Sequence, residues 1–292
     1  MDMSLTWRDM GVSSIAKALS IVEYVGSKGR CNLAEITAHT GLPRSTLLRV
    51  IAALVEFGFL RRTDRGEYGI ALKLWRIGCT ALDYANLHET IIPTLRHLVE
   101  TTSETALYAV YDGGRAVYVE KVEGLHPIRA YATVGGHSPA YATASGKCLL
   151  AWRPEDEIAQ VGAAAVRFTE TTHLGLKATL LNAAEVRRNG FAVNRGEWRE
   201  GVWGIAAPVF GRDRQPLAAI GVTGPRARVE PQVERFSQIV RAAASELSMQ
   251  HGCVSPAAPS RDDDARKPTK SKEANARSRM KSSVNSRRRF VR

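Results

Sequence analysis

Two kinds of apolar spacing divide the chain. From residue 13 to about 70 the apolar positions recur mostly every three or four residues, the spacing of amphipathic helices. Ser13 or Ser14 can cap a first helix, with Ile15, Ala18, Leu19, Val22 and Val25 on one face, broken over Gly26 to Arg30. Asn32 followed by Glu35 has the form of a capping box and opens a short second helix that Gly41 ends. Pro43 suits the first turn of a third helix, where its missing N–H costs nothing. Leu47, Val50, Ile51 and Leu54 form that helix's core stripe, Ser45, Arg49, Ala52 and Glu56 its other face, and Gly58 closes it. "FLRRTDRGEYGI" then reads as two short strands around Asp64-Arg65-Gly66. Residues 71–102 read as mostly helical.

Beyond residue 103 strand and helix patterns alternate. "ETALYAVY" and "RAVYVEKV" flank Asp112-Gly113-Gly114, a hairpin signal, and "PIRAYATVG" is a third strand candidate. In "YATASGKCLLAW", Thr143 can cap a helix running through Gly146, Leu149 and Leu150. "EVRRNGFAV" ends a helix at Gly190 and enters a strand; "GIAAPVFG" and "PLAAIGVTG" are strands joined by "RDRQ"; "VEPQVERFSQIVRAAASELSMQ" is a final amphipathic helix. After residue 252 apolar periodicity stops.

The predicted fold class is therefore α+β: an N-terminal winged helix-turn-helix, a linker helix and a C-terminal sensor domain with a mostly antiparallel sheet. The expected boundaries are a flexible N-terminus over 1–12, the winged helix-turn-helix over 13–70, the linker over 71–102, the effector-binding domain over 103–252 and a disordered basic tail over 253–292.

Charge changes this picture little. The chain of 292 residues carries a formal +12, but residues 261–292 hold 12 basic and 4 acidic residues, leaving +4 for the rest. No apolar stretch approaches the length of a membrane span and "MDMSLTWRDM" lacks a signal-peptide core, so a cytoplasmic protein without membrane contact is expected. Cys31, Cys79, Cys148 and Cys253 are scattered without a CxxC pair, which argues against disulfides or a zinc site. The seven histidines make no HExxH spacing, and neither a G-x-S-x-G elbow nor a P-loop occurs. No metal, cofactor or catalytic residue is expected. Two rival readings remain: an enzyme using Cys148, with His137 upstream, and a nucleic-acid-coating protein acting through its basic tail.

The third helix begins with Arg44, Ser45 and Thr46 rather than acids, with Arg49 one turn on. Such an end can enter a major groove, hydroxyls and amides binding phosphate while Arg reads guanine edges. Arg61, Arg62 and Arg65 of the hairpin can reach the flanking backbone or minor groove. In the second domain the helix start at Thr143, Ala144 and Ser145 lacks acids and suits a carboxylate.

The segments "SSIAKALSIVEYV", "LAEITAHTGLPRSTLLRVIAALVEFGFL", "HSPAYATASGKCLLAW" and "NRGEWREGVWGIAAPVFGRDRQPLAAIGVTGP", in this order and spacing, resemble the IclR family of bacterial transcriptional regulators across residues 13 to 250. The resemblance implies a regulator, repressor or activator, that binds operator DNA as a homodimer or a dimer of dimers (a homotetramer). It implies a linker helix that helps the dimer form, and a GAF-like C-terminal domain binding a small organic acid or aromatic compound, with control of a catabolic operon. By resemblance the effector carboxylate meets the amides of Ala144 and Ser145. Asn194 stands at a frequently acidic position, Gly204 at a frequent cysteine, and Gly221 and Thr223 at frequent serines. Ala130, Ser138 and Val202 stand at apolar wall positions. The small residues Gly204, Gly221 and Ala130 suggest room for a guest larger than a two- or three-carbon acid, such as an aromatic acid, with Tyr141, Trp203 or Phe210 near enough to stack.

Overall fold

The computed structural model describes residues 14–81, 84–130 and 132–253. The expected flexible N-terminus, the alternative cap Ser13 and the basic tail beyond Cys253 lie outside the described residues. The chain divides into two compact units, Met1–Pro93 and Thr94–Arg292.

In the first unit α1 (Ser14–Lys28) is followed by the two-residue strand β1 (Arg30–Cys31), α2 (Leu33–Thr40) and α3 (Arg44–Glu56). The strands β2 (Leu60–Arg62) and β3 (Tyr68–Ile70) form the expected hairpin. The capping box is present: Asn32 Oδ1 accepts from Glu35 N at 3.0 Å, and Asn32 N donates to Glu35 Oε2 at 2.7 Å. Gly41 ends α2 at φ 62, a left-handed conformation that glycine adopts without steric cost. Pro43 stands just ahead of α3, one position before the first turn in which it was expected.

Ile21, Val25, Ile36, Leu42, Leu47, Ile51, Leu54, Leu60 and Tyr68 make one core. This corrects the expected face of α1. Ile15 and Leu19 are exposed, and the helix packs through Ala18, Ile21, Val22 and Val25. Leu19 lies about 100° around the helix from Ala18, outside the sector that α2 and α3 cover. The short strand β1 was not anticipated. It pairs antiparallel with β3 and makes the sheet β1-β3-β2, but two residues carry no readable alternation. The predicted linker is two helices, α4 (Leu72–Ala81) and α5 (Tyr84–Thr102).

The second unit is built on a six-stranded antiparallel sheet of order β6-β5-β4-β9-β8-β7. Its strands are β4 (Thr105–Asp112), β5 (Arg115–Val122), β6 (His137–Pro139), β7 (Ala192–Arg195), β8 (Val202–Phe210) and β9 (Pro216–Pro225). The helices are α6 (Ala144–Leu150), α7 (Glu155–Ala163), α8 (Gly175–Asn189), α9 (Arg226–Val229) and α10 (Val233–Gln250). Eight consecutive residues of β8 are buried, so both its faces are covered; α6 and α10 both pack on it. The expected final helix is split: α9 and a 3₁₀ turn over Glu230–Gln232 precede α10.

No described residue of "PIRAYATVG" lies in a strand. Its start is a loop drawn onto neighbouring elements: Arg228 Nη2 donates to Ile128 O (2.9 Å) and Lys121 Nζ to Ala132 O (2.7 Å), while Arg129 pairs with Glu123. Pro127 removes a ladder donor, and the sheet resumes only at β6, where Ser138 faces Ala116.

Replacing Asn32 with Ala removes the acceptor that caps α2. The expected cost is about 1 kcal/mol, read as roughly fivefold faster hydrogen exchange of the α2 amides.

Candidate functional site

Two features stand out, one in each unit. At the start of α3, Arg44, Ser45 and Arg49 are exposed and Thr46 is half-buried. No acid lies in the first turn and no side chain caps the helix. Among the described residues none of these four side chains makes a hydrogen bond or an ion pair, so the two hydroxyls are not spent on capping. Arg61, Arg62 and Arg65 are exposed on the hairpin; Arg62 lies over the Tyr68 ring, 6.0 Å from its centroid.

In the second unit a cavity of about 50 Å³ opens between the sheet, the start of α6 and the segment joining β7 to β8. Of the residues expected there, Ala130, Ala144, Ser145, Asn194, Val202, Gly204, Gly221 and Thr223 line it. Leu107, Tyr118, Ala132, Thr143, Trp198, Arg199, Ile205 and Val222 complete the wall.

Thr143 Oγ1 accepts from Gly146 N at 3.3 Å, which leaves the amides of Ala144 and Ser145 without an acceptor among the described residues. Gly146 is required by close approach: a Cβ there would stand 2.4 Å from Ala140 Cα.

Two expected residues stand elsewhere. Ser138 is fully buried behind the wall, accepting a hydrogen bond from Tyr118 Oη (2.9 Å) and bonded to Thr143 Oγ1 (3.1 Å), so it is a polar bridge and not an apolar surface. Tyr141 turns toward Val166, donating to its carbonyl at 3.0 Å and accepting from its N–H at 2.9 Å, with Phe168 beside it. Neither Trp203 nor Phe210 lines the cavity. Phe210 packs edge-on against Trp152, and Arg226 lies over Trp203. The rings at the cavity are Tyr118 and Trp198; burial pushes the Tyr118 hydroxyl's pKa up. Strand alternation on β5 gave access to Tyr118, but Trp198 lies in an irregular segment with no period to read.

The small residues leave less room than their size suggests. A Cβ on Gly221 would meet Ile205 O at 2.2 Å, and one on Gly204 would meet Val222 O at 3.3 Å. That space belongs to the paired strands, not to a guest.

Arg199 is the one formally charged side chain in the wall, and no carboxylate lines it. Its guanidinium lies over Trp198, 4.5 Å from the ring. Asn194 is spent on the backbone: its Oδ1 accepts from Glu197 N at 2.9 Å. Thr223 Oγ1 donates to Trp203 O at 3.0 Å.

Behind the wall Lys147 of α6 pairs with Glu197 and donates to Val193 O at 3.1 Å. Both side chains are at least 95% buried. Burial pushes the Lys147 ammonium below the ordinary lysine pKa, and the Glu197 carboxylate opposes the shift.

Cys148 is fully buried, its Sγ donating to Ala206 O at 3.1 Å, and burial pushes its thiol pKa up. His137 is exposed and bonded to Arg115 Nη1, so the two form no thiol pair.

The profile of the bacterial transcriptional regulator IclR C-terminal domain matches residues 79–249, and that of the IclR helix-turn-helix domain residues 14–64. The HTH-type transcriptional regulator KdgR of Escherichia coli (strain K12) is 30% identical over 245 residues, spanning 82% of this chain and 93% of its own. The transcriptional repressor IclR of the same organism is 30% identical over 253 residues, spanning 82% and 90%. Among solved structures, an IclR homologue from Microbacterium hydrocarbonoxydans complexed with 4-hydroxybenzoate has a TM-score of 0.73 at 22% identity, covering 82% of this chain and 99% of its own. The relatives are transcriptional regulators and not enzymes, which sets aside the reading built on Cys148.

Glu197→Gln leaves a buried ammonium without its counter-charge. Urea denaturation should show a loss of about 3–5 kcal/mol, and the Lys147→Met/Glu197→Leu double variant should recover most of it.

Proposed function

The chain belongs to the IclR family of bacterial transcriptional regulators, and from that premise we propose how this ligand-responsive regulator divides its work. Residues 13–70 bind operator DNA, 71–102 link, and 103–252 sense a small carboxylic acid. Arg44, Ser45, Thr46 and Arg49 enter the major groove while the hairpin arginines steady the flanking backbone. The observation that carries this is the start of α3: two arginines and two hydroxyls with no partner among the described residues, on a helix whose first turn has no acid.

The effector is an anion, because the cavity wall carries Arg199 and no acid. Its carboxylate meets the amides of Ala144 and Ser145, with Arg199 at the mouth. A volume of about 50 Å³ favours a small aliphatic acid; a cavity of about 150 Å³ is what holds benzene.

A second reading has its own support. Tyr118 and Trp198 offer two ring faces, and the structural neighbour from Microbacterium hydrocarbonoxydans holds 4-hydroxybenzoate. An aromatic acid fits here once Trp198 and Arg199 swing outward, next to Gly201 at φ 73.

The exposed Ile15 and Leu19 of α1 and Leu72, Trp75 and Ile77 of α4 support a homo-oligomer, a dimer or a dimer of dimers. No described helix is long and apolar enough to cross a membrane. With relatives that regulate bacterial transcription, this supports a cytoplasmic protein controlling a catabolic operon. The tail's charge adds sequence-independent affinity for DNA.

Arg49→Ala should weaken operator binding by about 1–3 kcal/mol and relax discrimination at one base pair, checked by footprinting and competition. In a thermal-shift series, three-carbon acids should raise Tm and benzoates should not; Arg199→Gln should abolish the shift. Stabilisation by benzoates alone would establish the aromatic reading instead.

A further inference from the structure

Strand register puts Arg30, Gly69 and Arg61 in one row across β1, β3 and β2. Residues directly opposed in an antiparallel ladder point to the same face, and adjacent rows alternate. The next row holds Cys31, Tyr68 and Arg62, and the row on the other side holds Leu60 and Ile70. Cys31, Tyr68 and Leu60 are buried in the core. The Arg30–Gly69–Arg61 row therefore faces away from that core, and Arg30 and Arg61 are both exposed.

Strand spacing sets the Cα atoms of the two arginines about 10 Å apart. Between them Gly69 contributes no side chain. A Cβ on Gly69 would stand 3.4 Å from Gly29 O, 3.9 Å from Arg61 Nε and 4.0 Å from Arg30 Cγ, so the glycine is buried beneath the Gly29 carbonyl and the stems of both side chains. Arg61 Nε donates to Ile70 O at 3.3 Å, which anchors this guanidinium along β3. Among the described residues no carboxylate pairs with Arg30 or Arg61. Two exposed arginines thus flank one buried glycine of the sheet, one of them bonded to the backbone.

We propose that the Arg30–Gly69–Arg61 row is a phosphate clamp that seats one backbone phosphate of duplex DNA beside the stretch read by α3. The two unesterified oxygens of a phosphodiester take one guanidinium each. Arg62, on the opposite face over Tyr68, takes no part in the clamp. The proposal rests on the reading that this unit binds duplex DNA; it adds Arg30, which the motif pattern alone does not single out, and separates Arg61 from its neighbour.

The test uses the full chain and a mixed-sequence duplex, with binding followed by fluorescence anisotropy from about 50 to about 200 mM salt. Arg30→Gln and Arg61→Gln should each reduce the slope of log K against log salt by about one, and the double variant by about two. Gly69→Glu, which places an acid in the seat while leaving both arginines present, should reduce it likewise. Arg188→Gln, an exposed position in the second unit, should keep the wild-type slope. Circular dichroism establishes that each variant is folded.

Arg49→Glu separates the two levels of the argument. If it weakens binding while the row variants keep the wild-type slope, the clamp is overturned and the DNA reading stands. If neither it nor the row variants changes binding, the reading beneath the clamp falls as well. A row whose loss affects capture of polyglutamate but not of DNA is a site for acidic protein, and that result also overturns the clamp.

Discussion

The sensor unit depends on how tightly α6 is held. Gly146 lies against the backbone of Ala140, where any side chain would collide, and one residue later Lys147 drives an ammonium into the interior to reach Val193 O and Glu197. Desolvating that charge is costly, and the pair is worth keeping only because both partners are bonded as well as opposed in sign. The consequence is positional. Residues 144 and 145 cannot drift from the sheet, because the next two residues are pinned from opposite sides. A cavity whose floor is a helix start needs that rigidity, since amide groups a fraction of an ångström out of place lose their directional preference for an anion.

The same ion pair reaches across to the segment that closes the cavity. Glu197 lies in the connection between β7 and β8, and the threonines of residues 169–172 clasp this connection from outside: Thr171 Oγ1 donates to Arg195 O, Thr169 Oγ1 to Gly196 O and Thr172 Oγ1 to Glu197 O. Three successive carbonyls are satisfied in this way, so the first half of the connection is as fixed as a strand. Beyond Glu197 no side chain clasps the connection, which keeps the backbone bonds from Val202 N to Arg199 O and from Arg226 N to Gly201 O, and exposure begins: Trp198 is half-buried, and Arg199 and Glu200 are exposed.

Legibility from sequence followed the range of the interaction involved. Signals complete within four residues were readable: the Asn32–Glu35 box, the left-handed Gly41 and Gly190, the Gly113-Gly114 turn and the cap at Thr143. Each is settled by local geometry, whatever the rest of the chain does. Features decided by distant partners were not. Leu19 has the right spacing for a core face and is exposed, because which sector of α1 is covered depends on where α2 and α3 sit. "PIRAYATVG" has strand composition, yet its start is a loop whose Ile128 carbonyl is bonded by Arg228, a residue 100 positions later in the chain. At the cavity most of the small and polar residues named from the sequence stand in the wall, and Tyr141, Trp203 and Phe210 do not. Tyr141, Trp203 and Phe210 are aromatic and close in sequence to the motif, but each is committed to a neighbour outside the cavity. Nothing about a single position tells which way a large ring turns on a partly irregular wall.

These constraints limit how a guest can act. A ligand shifts a conformational equilibrium only as far as its affinity differs between the two states. The floor at α6 is locked by Gly146 and Lys147, and the sheet behind it is paired through Gly204 and Gly221. Neither offers a second arrangement at low cost. The stretch from Trp198 to Gly201 is held by less: it has no strand ladder, the Arg199 guanidinium rests on the Trp198 ring, and it ends on a left-handed glycine whose carbonyl is bonded to Arg226 N at 2.7 Å. Through Gly201 O and Arg226 N this stretch is tied to α9, which carries the Arg228–Glu104 pair. Glu104 sits at the foot of β4, two residues after α5 ends at Thr102. The cavity wall and the end of α5 are thus joined through four residues, one short helix and one ion pair, a path that leaves the locked α6 and the paired sheet outside it.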